Sequence, residues 1–450
     1  MICFVSNWHK TIFFDSICEE LSKSNIDVYW IVVNEKYKNT ILKKYDSSKV
    51  LFINTKHNND YSLEIDDFKL NELIYGDRYL KHFNYNDAYS FLRNIQKPIY
   101  EFIKNNNIKY IFGENTYAHE ILINRILKQK KELKAKYLEF IRTRMPSSRT
   151  MITTDEFQNN ILDISKINNS DNYDKIVLSE PTFKKVYDKH LINSQSFLNR
   201  FKRIKRFFTQ ENNVKYDPSN FPNIRIRSKE AIKQECNRFS YKFIKTYQFS
   251  EEIKKRPYFL YALHRQPEAS SDVKGRYYDN QIINIYNICR ILPPNYILLV
   301  KEHTNAIGDR SYYFYKKIIK MNNVILINEN INSRDLIKYS KAVFTISGTI
   351  GYEAALMGIP SFSFAPTFYN KLNGSYNISI DDLRQCMNFK DLFNSYDNIS
   401  KMNLNEFSKF LYTNSFHGLI GNVSLEPNLL DLDNISAFSN IIKRILRNNV

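Results

Sequence analysis

The 450-residue sequence predicts an α/β fold built twice: two parallel-sheet domains facing each other across a cleft, with a helical insertion or linker between them. Three observations carry this expectation. Short apolar runs alternate with helix-length amphipathic stretches over the first third of the chain, as parallel strands covered on both faces require. The alternation fades over 159–256 into polar, charged and aromatic segments, then returns in sharper form from 257. A repeated strand–helix pattern separated by such a linker gives two domains of similar size, each long enough for its own core.

In order, the first domain (1–158) reads "MICFVS", a helix around 12–21, "DVYWIVV", "VLFINT", "IKYIFGEN", a helix from Tyr117, and "KYLEFI". The insertion or linker takes 159–256. The second domain (257–430) reads "YFLYAL", a helix over 278–291, "YILLVK", a helix near 312–319, "NVILIN", a short helix at 334–339, "AVFTI", a further helix and "PSFSF". The closing segment (431–450) is amphipathic and is expected to form a helix that crosses back to the first domain. In folds of this kind ligands bind outside the carboxyl ends of the strands, so the residues after each run are the ones to inspect.

Composition narrows the function classes. Apolar residues make up 43% of the chain and no stretch approaches the ~20 apolar residues of a membrane span, which predicts a folded cytoplasmic protein, peripheral at most to the inner face of a membrane. The N-terminus lacks a basic segment ahead of its apolar residues. Five cysteines without metal-ligand spacing argue against a disulfide framework and read as core thiols. The formal charge of +18 predicts attraction to something anionic. The stretch 124–136 alternates apolar and basic residues at helical spacing and reads as a solvated helix face. "FLNRFKRIKRFF" (197–208) suits an anionic membrane surface, though it reads first as a basic helix packed on its neighbour through its phenylalanines. Nucleic acid is not an expected partner, because no recognised nucleic-acid motif accompanies the charge.

The chain has ten glycines, and three of them, Gly348, Gly351 and Gly358, fall within "SGTIGYEAALMG". The turn after the strand "AVFTI" carries backbone N–H groups and hydroxyls beside a helix N-terminus, which suits a phosphate. A capped strand-to-helix connection, with Ser347 or Thr349 as N-cap, explains the same residues. Other strands end in similar chemistry. His264, Arg265, Gln266 and Glu268 follow "YFLYAL"; Lys301, Glu302 and His303 close "YILLVK"; Glu353 lies one turn into the helix after the glycine turn. Lys301 with Glu302 also reads as a solvated pair, and Glu353 as a carboxylate complementing a helix N-terminus.

These residues carry a resemblance. "HRQPEAS", "KEHT" and "SGTIGYEAALMGIP", in this order, resemble motifs of bacterial capsule and lipopolysaccharide glycosyltransferases of GT-B architecture, similar to the transferases of CMP-activated Kdo and sialic acid. The resemblance covers 258–365 and is weak before it. It implies two Rossmann-like domains and a metal-independent reaction without a cofactor. The substrates it implies are a nucleotide-sugar donor, best matched by a CMP-activated ulosonic acid, and a glycan or lipid-linked glycan acceptor. It also implies nucleotide contacts from Lys301, His303, Ser347, Gly348, Thr349, Gly351 and Glu353. Thr304 stands where the family usually has proline, which leaves the pose of the His303 loop open.

Glycosyl transfer needs a stabiliser for the leaving phosphate and, when it inverts, a base for the acceptor hydroxyl. His303 is the candidate stabiliser. Glu114, at the end of "YIFGEN", is a candidate base or else a cap for the next helix, and Glu268 competes with it. His264, Arg265, Gln266, Arg142, Arg144 and His9 are candidate donor or acceptor sugar contacts, Arg265 first if the sugar bears a carboxylate. Three alternatives stay open: a CDP-polyol phosphotransferase, a nucleotide-sugar epimerase, and a non-catalytic glycan- or membrane-binding protein on the same fold.

Overall fold

A computed structural model describes residues 1–53, 68–168, 174–179, 217–397 and 400–448, without the side chains of His9 and 395–397. The basic stretch 197–208, with its expected membrane contact, lies outside the described residues. The chain forms two compact α/β units, and the two expected Rossmann-like sheets are both present. The first unit comprises Met1–Tyr173, Ser179–Ser228 and Phe410–Val450; the second comprises Asp174–Leu178 and Lys229–Lys409.

The first unit is built on β1 (Ile2–Val5), β2 (Val28–Val32), β3 (Val50–Phe52), β4 (Tyr110–Phe112), β5 (Lys136–Arg142) and β6 (Arg149–Thr153). The second holds β7 (Tyr258–Ala262), β8 (Ile297–Lys301), β9 (Val324–Ile327), β10 (Ala342–Thr345), β11 (Ser361–Ser363) and β12 (Ser375–Asn377). The last strand, β13 (Ser415–His417), belongs again to the first unit. The first sheet runs β13-β6-β5-β4-β1-β2-β3; β5 to β3 are parallel, while β6 and β13 pair antiparallel. The second runs β12-β11-β10-β7-β8-β9 and is parallel throughout. Every residue of β1, β2, β8 and β10 is buried, which is why these strands read as unbroken apolar runs rather than alternating ones.

The chain re-enters the first unit at Phe410, ahead of the expected limit at 430, because β13 completes the sheet edge beside β6. The helix Leu432–Asn448 then buries Ile435, Phe438, Ile442 and Ile445, a spacing of three and four residues that makes one apolar stripe. That stripe packs on the helix Trp8–Ser22 and on the sheet. Phe438 meets Phe13 edge-on at 5.0 Å and also touches Phe140 and Phe416 at 5.0 Å. Of the expected linker, the helix Ile224–Tyr241 is described: Gln234 and Asn237 bond Asp309 and Gly308, and Tyr241 donates to Glu329 at 2.9 Å. Among the described residues no helix is long and apolar enough to cross a membrane. Cys3 and Cys18 are core thiols as expected, whereas Cys236 is exposed.

Phe438 is fully buried among three aromatic rings. Phe438→Ala should destabilise the first unit by about 3–5 kcal/mol, read as a lower denaturation midpoint for that unit's unfolding.

Candidate functional site

In the second unit Ala262 pairs with Lys301 and Tyr261 with Phe344, so β7, β8 and β10 end level with one another. The residues that follow them therefore gather at one carboxyl edge. His264 is the centre of this edge. It is buried, its Nε2 lies 2.7 Å from Thr345 Oγ1, and the same nitrogen accepts the Ile346 N–H at 3.1 Å. The Thr345 hydroxyl in turn accepts the Gly348 N–H at 3.1 Å. A ring that accepts at Nε2 is neutral with its proton on Nδ1. Burial enforces that state, holding the His264 pKa down to about 3, with His303, Arg310 and Lys274 adding to the effect.

Gly348 and Gly351 are required by contacts inside this turn. A Cβ on Gly348 would lie 2.7 Å from Thr345 Oγ1 and 3.2 Å from the His264 ring; one on Gly351 would lie 2.9 Å from the Tyr369 hydroxyl. Tyr369 donates that hydroxyl to the Gly348 carbonyl at 2.7 Å. Neither hydroxyl of the motif caps the helix Thr349–Leu356: Gly348 is the N-cap, Ser347 Oγ donates to the Ser270 carbonyl at 2.9 Å, and Thr349 is exposed. The Gly351 N–H is taken by the Gly348 carbonyl at 3.1 Å, so with no side-chain cap it is the Thr349 and Ile350 N–H groups that this helix offers to an external acceptor. Glu353 forms an ion pair with Arg334 at 3.3 Å.

The end of β8 is anchored from beneath. Glu302 is wholly buried; Arg310 donates to both of its oxygens at 2.8 Å, Tyr315 donates at 2.7 Å and the His303 N–H at 2.7 Å. The guanidinium also donates to the His264 carbonyl, so one side chain holds the loops after β7 and β8 together. Burial pushes the Glu302 carboxyl above its ordinary value, against the pull of Arg310 and Tyr315. Lys301 is buried too and donates to the Glu329 carbonyl at 2.9 Å. Neither residue is a solvated surface pair.

His303 meets solvent, and its Nδ1 accepts the Asn305 N–H at 3.1 Å, which leaves Nε2 as the proton-bearing atom of the neutral ring. Desolvation is the largest cause lowering its pKa. Glu268 opposes this, and Lys301, Arg265 and Arg310 reinforce it. Glu268 is exposed and accepts the Ser270 hydroxyl at 3.2 Å, while Arg265, half exposed, pairs with Asp309 at 3.5 Å. Gln266 is tied into its own loop by Asp272, by the Asp279 carbonyl and by Gln281.

The remaining candidates belong to the first unit. Glu114 is buried at the end of β4 and pairs with Lys10. Glu114 does not cap the helix Ala118–Gln129: Asp77 accepts its first N–H, from Ala118, at 2.8 Å, and Glu120 reaches back to the Thr116 and Tyr117 N–H groups at 3.0 Å. Arg142 pairs with Glu426 at 2.8 Å and donates to the Ile420 carbonyl, tying β5 to the returning C-terminal segment. Arg144 follows β5 at a positive φ of 68°. His9 lies in the first turn of the helix Trp8–Ser22, and its side chain is outside the described residues. Among the described residues no three His, Cys, Asp or Glu side chains gather as a metal-binding group.

Sequence reasoning missed Thr345, Arg310, Gln281 and Tyr369, all of which build the site. Thr345 is hidden inside the apolar run that ends at Ile346. Arg310, in "GDRS", has no motif to mark it, because its role comes from a buried contact made only in the fold.

Comparison with known proteins gives three findings. Residues 171–382, just under half of the chain, match the profile of a family described as capsule polysaccharide biosynthesis protein, which bears out the resemblance to surface-polysaccharide enzymes. No curated protein matches the sequence. Similar solved structures include two from Thermosulfurimonas dismutans KpsC. Its beta Kdo 2,7 transferase is 10% identical, with 97% of this chain and 99% of that chain covered and a TM-score of 0.37. Its beta Kdo 2,4 transferase is 12% identical, with 75% and 95% covered and a TM-score of 0.32. The UDP-GlcNAc 2-epimerase from Methanocaldococcus jannaschii is 13% identical, with 99% of each chain covered and a TM-score of 0.24.

Two predictions follow from the buried groups. Arg310→Ala strands the Glu302 carboxylate and should cost about 3–5 kcal/mol in thermal or chemical unfolding, whereas Glu302→Gln combined with Arg310→Met should cost much less. His264 binds its proton far less readily folded than unfolded, so its contribution is present above about pH 6.5 and is lost as pH falls toward 3. The stability difference between wild type and His264→Gln should shrink across that window; a difference independent of pH would contradict a buried neutral ring.

Proposed function

We propose that the protein is a glycosyltransferase of bacterial surface-polysaccharide assembly that takes its sugar from a nucleotide donor, best matched by a CMP-activated ulosonic acid, and passes it to a glycan or lipid-linked glycan. The observation that carries this reading is the level ending of β7, β8 and β10. It sets an uncapped helix N-terminus, the His303 imidazole and the half-exposed Arg265 at one strand edge. The family match overlaps the same stretch.

In this reading the Thr349 and Ile350 N–H groups at the start of the helix Thr349–Leu356 take the nucleotide phosphate, since a helix N-terminus carries partial positive charge. His303 donates from Nε2 to a phosphate oxygen as the glycosidic bond breaks and negative charge grows on the leaving group. Its proton sits on the correct nitrogen because Nδ1 is occupied by the Asn305 N–H. Lys301 lies below, and the Arg310–Glu302 pair, without net charge, holds the loops after β7 and β8 in place. Arg265 is the residue offered to a donor carboxylate. Glu268, in the loop after β7, and Glu114, in the first unit, remain the two candidates for the base that accepts the acceptor proton. Glu268 is exposed, whereas Glu114 is engaged by Lys10, so a base role for Glu114 requires that pair to open.

Thermal stabilisation by CMP, CDP, UDP and GDP tests this reading. A nucleotide present at 100 times its dissociation constant should stabilise the protein by about 2.7 kcal/mol. CMP should give the largest shift, and His303→Ala should abolish it. A UDP- or GDP-selective shift would retain the transferase and change its donor, and the absence of any nucleotide shift would reject the reading.

A further inference from the structure

From Lys229 onward the helix Ile224–Tyr241 belongs to the second unit, and it is held there by polar side chains. Gln234 donates to Asp309 at 2.9 Å, Asn237 to the Gly308 carbonyl at 3.1 Å, Arg238 to the Ile307 carbonyl at 3.3 Å and Tyr241 to Glu329 at 2.9 Å. These positions, spaced by three and four, form one face. At about 100° per residue, Ile232, Cys236 and Phe239 fall on the opposite face, and Phe243 extends their line into the turn that follows. All four are exposed, Phe239 at 61% and Phe243 at 67%, and the two rings meet edge-on at 5.4 Å. A surface helix ordinarily turns its apolar stripe inward and its polar face to water. Here the two are exchanged, and about three turns of apolar side chains stand in solvent.

Charge selects what covers them. Five Lys or Arg and two Glu fall within 229–245. Both acids are already paired, Glu230 with Lys233 at 3.5 Å and Glu235 with Arg238 at 2.6 Å, which leaves the exposed Lys229, Lys242 and Lys245 as surplus positive charge at the two ends of the stripe. Phenylalanines between lysines, on a helix anchored along its other side, suit the boundary of an anionic bilayer: the rings reach the acyl chains while the ammonium groups stay among the headgroups. The net charge of +18 acts in the same direction. A second copy of this chain is a poor match, because it would bring the same cations against these.

We propose that this face of the helix docks the protein on an anionic membrane surface, with Phe239 and Phe243 as the inserting side chains. The docking does not depend on the transferase reading, but its use does. Gln234 bonds the same Asp309 carboxylate that pairs with Arg265, so under that reading the docked helix is tied to the strand-end loops that a lipid-linked acceptor must reach.

The protein is mixed with vesicles of phosphatidylcholine alone and of phosphatidylcholine with an equal share of phosphatidylglycerol, and bound protein is measured by flotation. Binding should require the anionic lipid and weaken as salt rises. Phe239→Ser with Phe243→Ser should weaken it roughly tenfold or more, and Lys242→Gln with Lys245→Gln about thirtyfold, as the loss of two lysines beside a charged surface implies. All four side chains are exposed, so both variants should keep the wild-type melting temperature. Cys236 locates the contact: an environment-sensitive thiol label there should shift to the blue on anionic vesicles, with Cys236→Ser as the control for label at other cysteines. Before vesicles are added, Cys236 should react with a thiol reagent about as fast as in the unfolded chain. Protection at that stage means that the chain itself or a second copy already covers the face, and it overturns the proposal. Binding that either pair of substitutions leaves unchanged, or that leaves the label unmoved, puts the contact elsewhere and overturns it as well. So does a phenylalanine variant that changes only its oligomeric state, which makes the face a protein–protein interface. The CMP measurement on the same preparations separates the two readings: no vesicle binding with an intact CMP shift overturns the docking alone, and vesicle binding without any nucleotide shift overturns the transferase alone.

Discussion

The site in the second unit depends on one buried ion pair. Glu302 and Arg310 lie out of water, where an unpaired charge costs several kcal/mol, and they are tolerated because their bonding is closely matched. Both carboxylate oxygens take the guanidinium, one takes Tyr315 and the other the His303 N–H, and the guanidinium reaches on to the His264 carbonyl. The loops after two neighbouring strands are thereby fixed to a common point. The ionised pair beneath them supplies a field that does not have to reorganise when charge develops above, which is the condition for effective electrostatic stabilisation.

The glycine turn shows the same economy of construction. Its glycines face Thr345, His264 and Tyr369, so their first requirement is close packing inside the protein. Seated in that way, the turn presents the uncapped N-terminus of the next helix outward. Packing and ligand binding are therefore one requirement here: a side chain at 348 would lift the turn from the sheet and move the N–H groups with it. The neutral His264 is part of the seat, since a charged ring could not accept the N–H of Ile346.

Much of the architecture was legible because buried parallel strands leave an unambiguous trace. The fully buried runs at β1, β2, β8 and β10 could not be read otherwise, and the level ends of β7, β8 and β10 followed from their order. The site was only half legible. Residues directly after strands, such as His264, His303 and Ser347, announce themselves by position. Arg310 and Gln281 reach the site from other segments through contacts that exist only after folding, and no spacing encodes them. Glu114 and Arg142 illustrate the converse: both sit at a strand end, yet each is met there by a partner, Lys10 or Glu426, that the local sequence does not reveal. The early return of the chain at Phe410 was likewise hidden, because β13 is a three-residue edge strand whose pairing is long-range.

That return has a consequence for how the molecule is made. The first unit's sheet edge and one side of its core come from β13 and the helix Leu432–Asn448, which leave the ribosome after the whole of the second unit. The usual order, in which the N-terminal domain folds first during synthesis, is therefore reversed. The second unit can close while the first still waits with the apolar faces of Phe13 and Phe140 uncovered. During translation the nascent chain thus carries an exposed half-core for the time taken to make every residue in between, and that interval is when holdase chaperones would have a surface to grip.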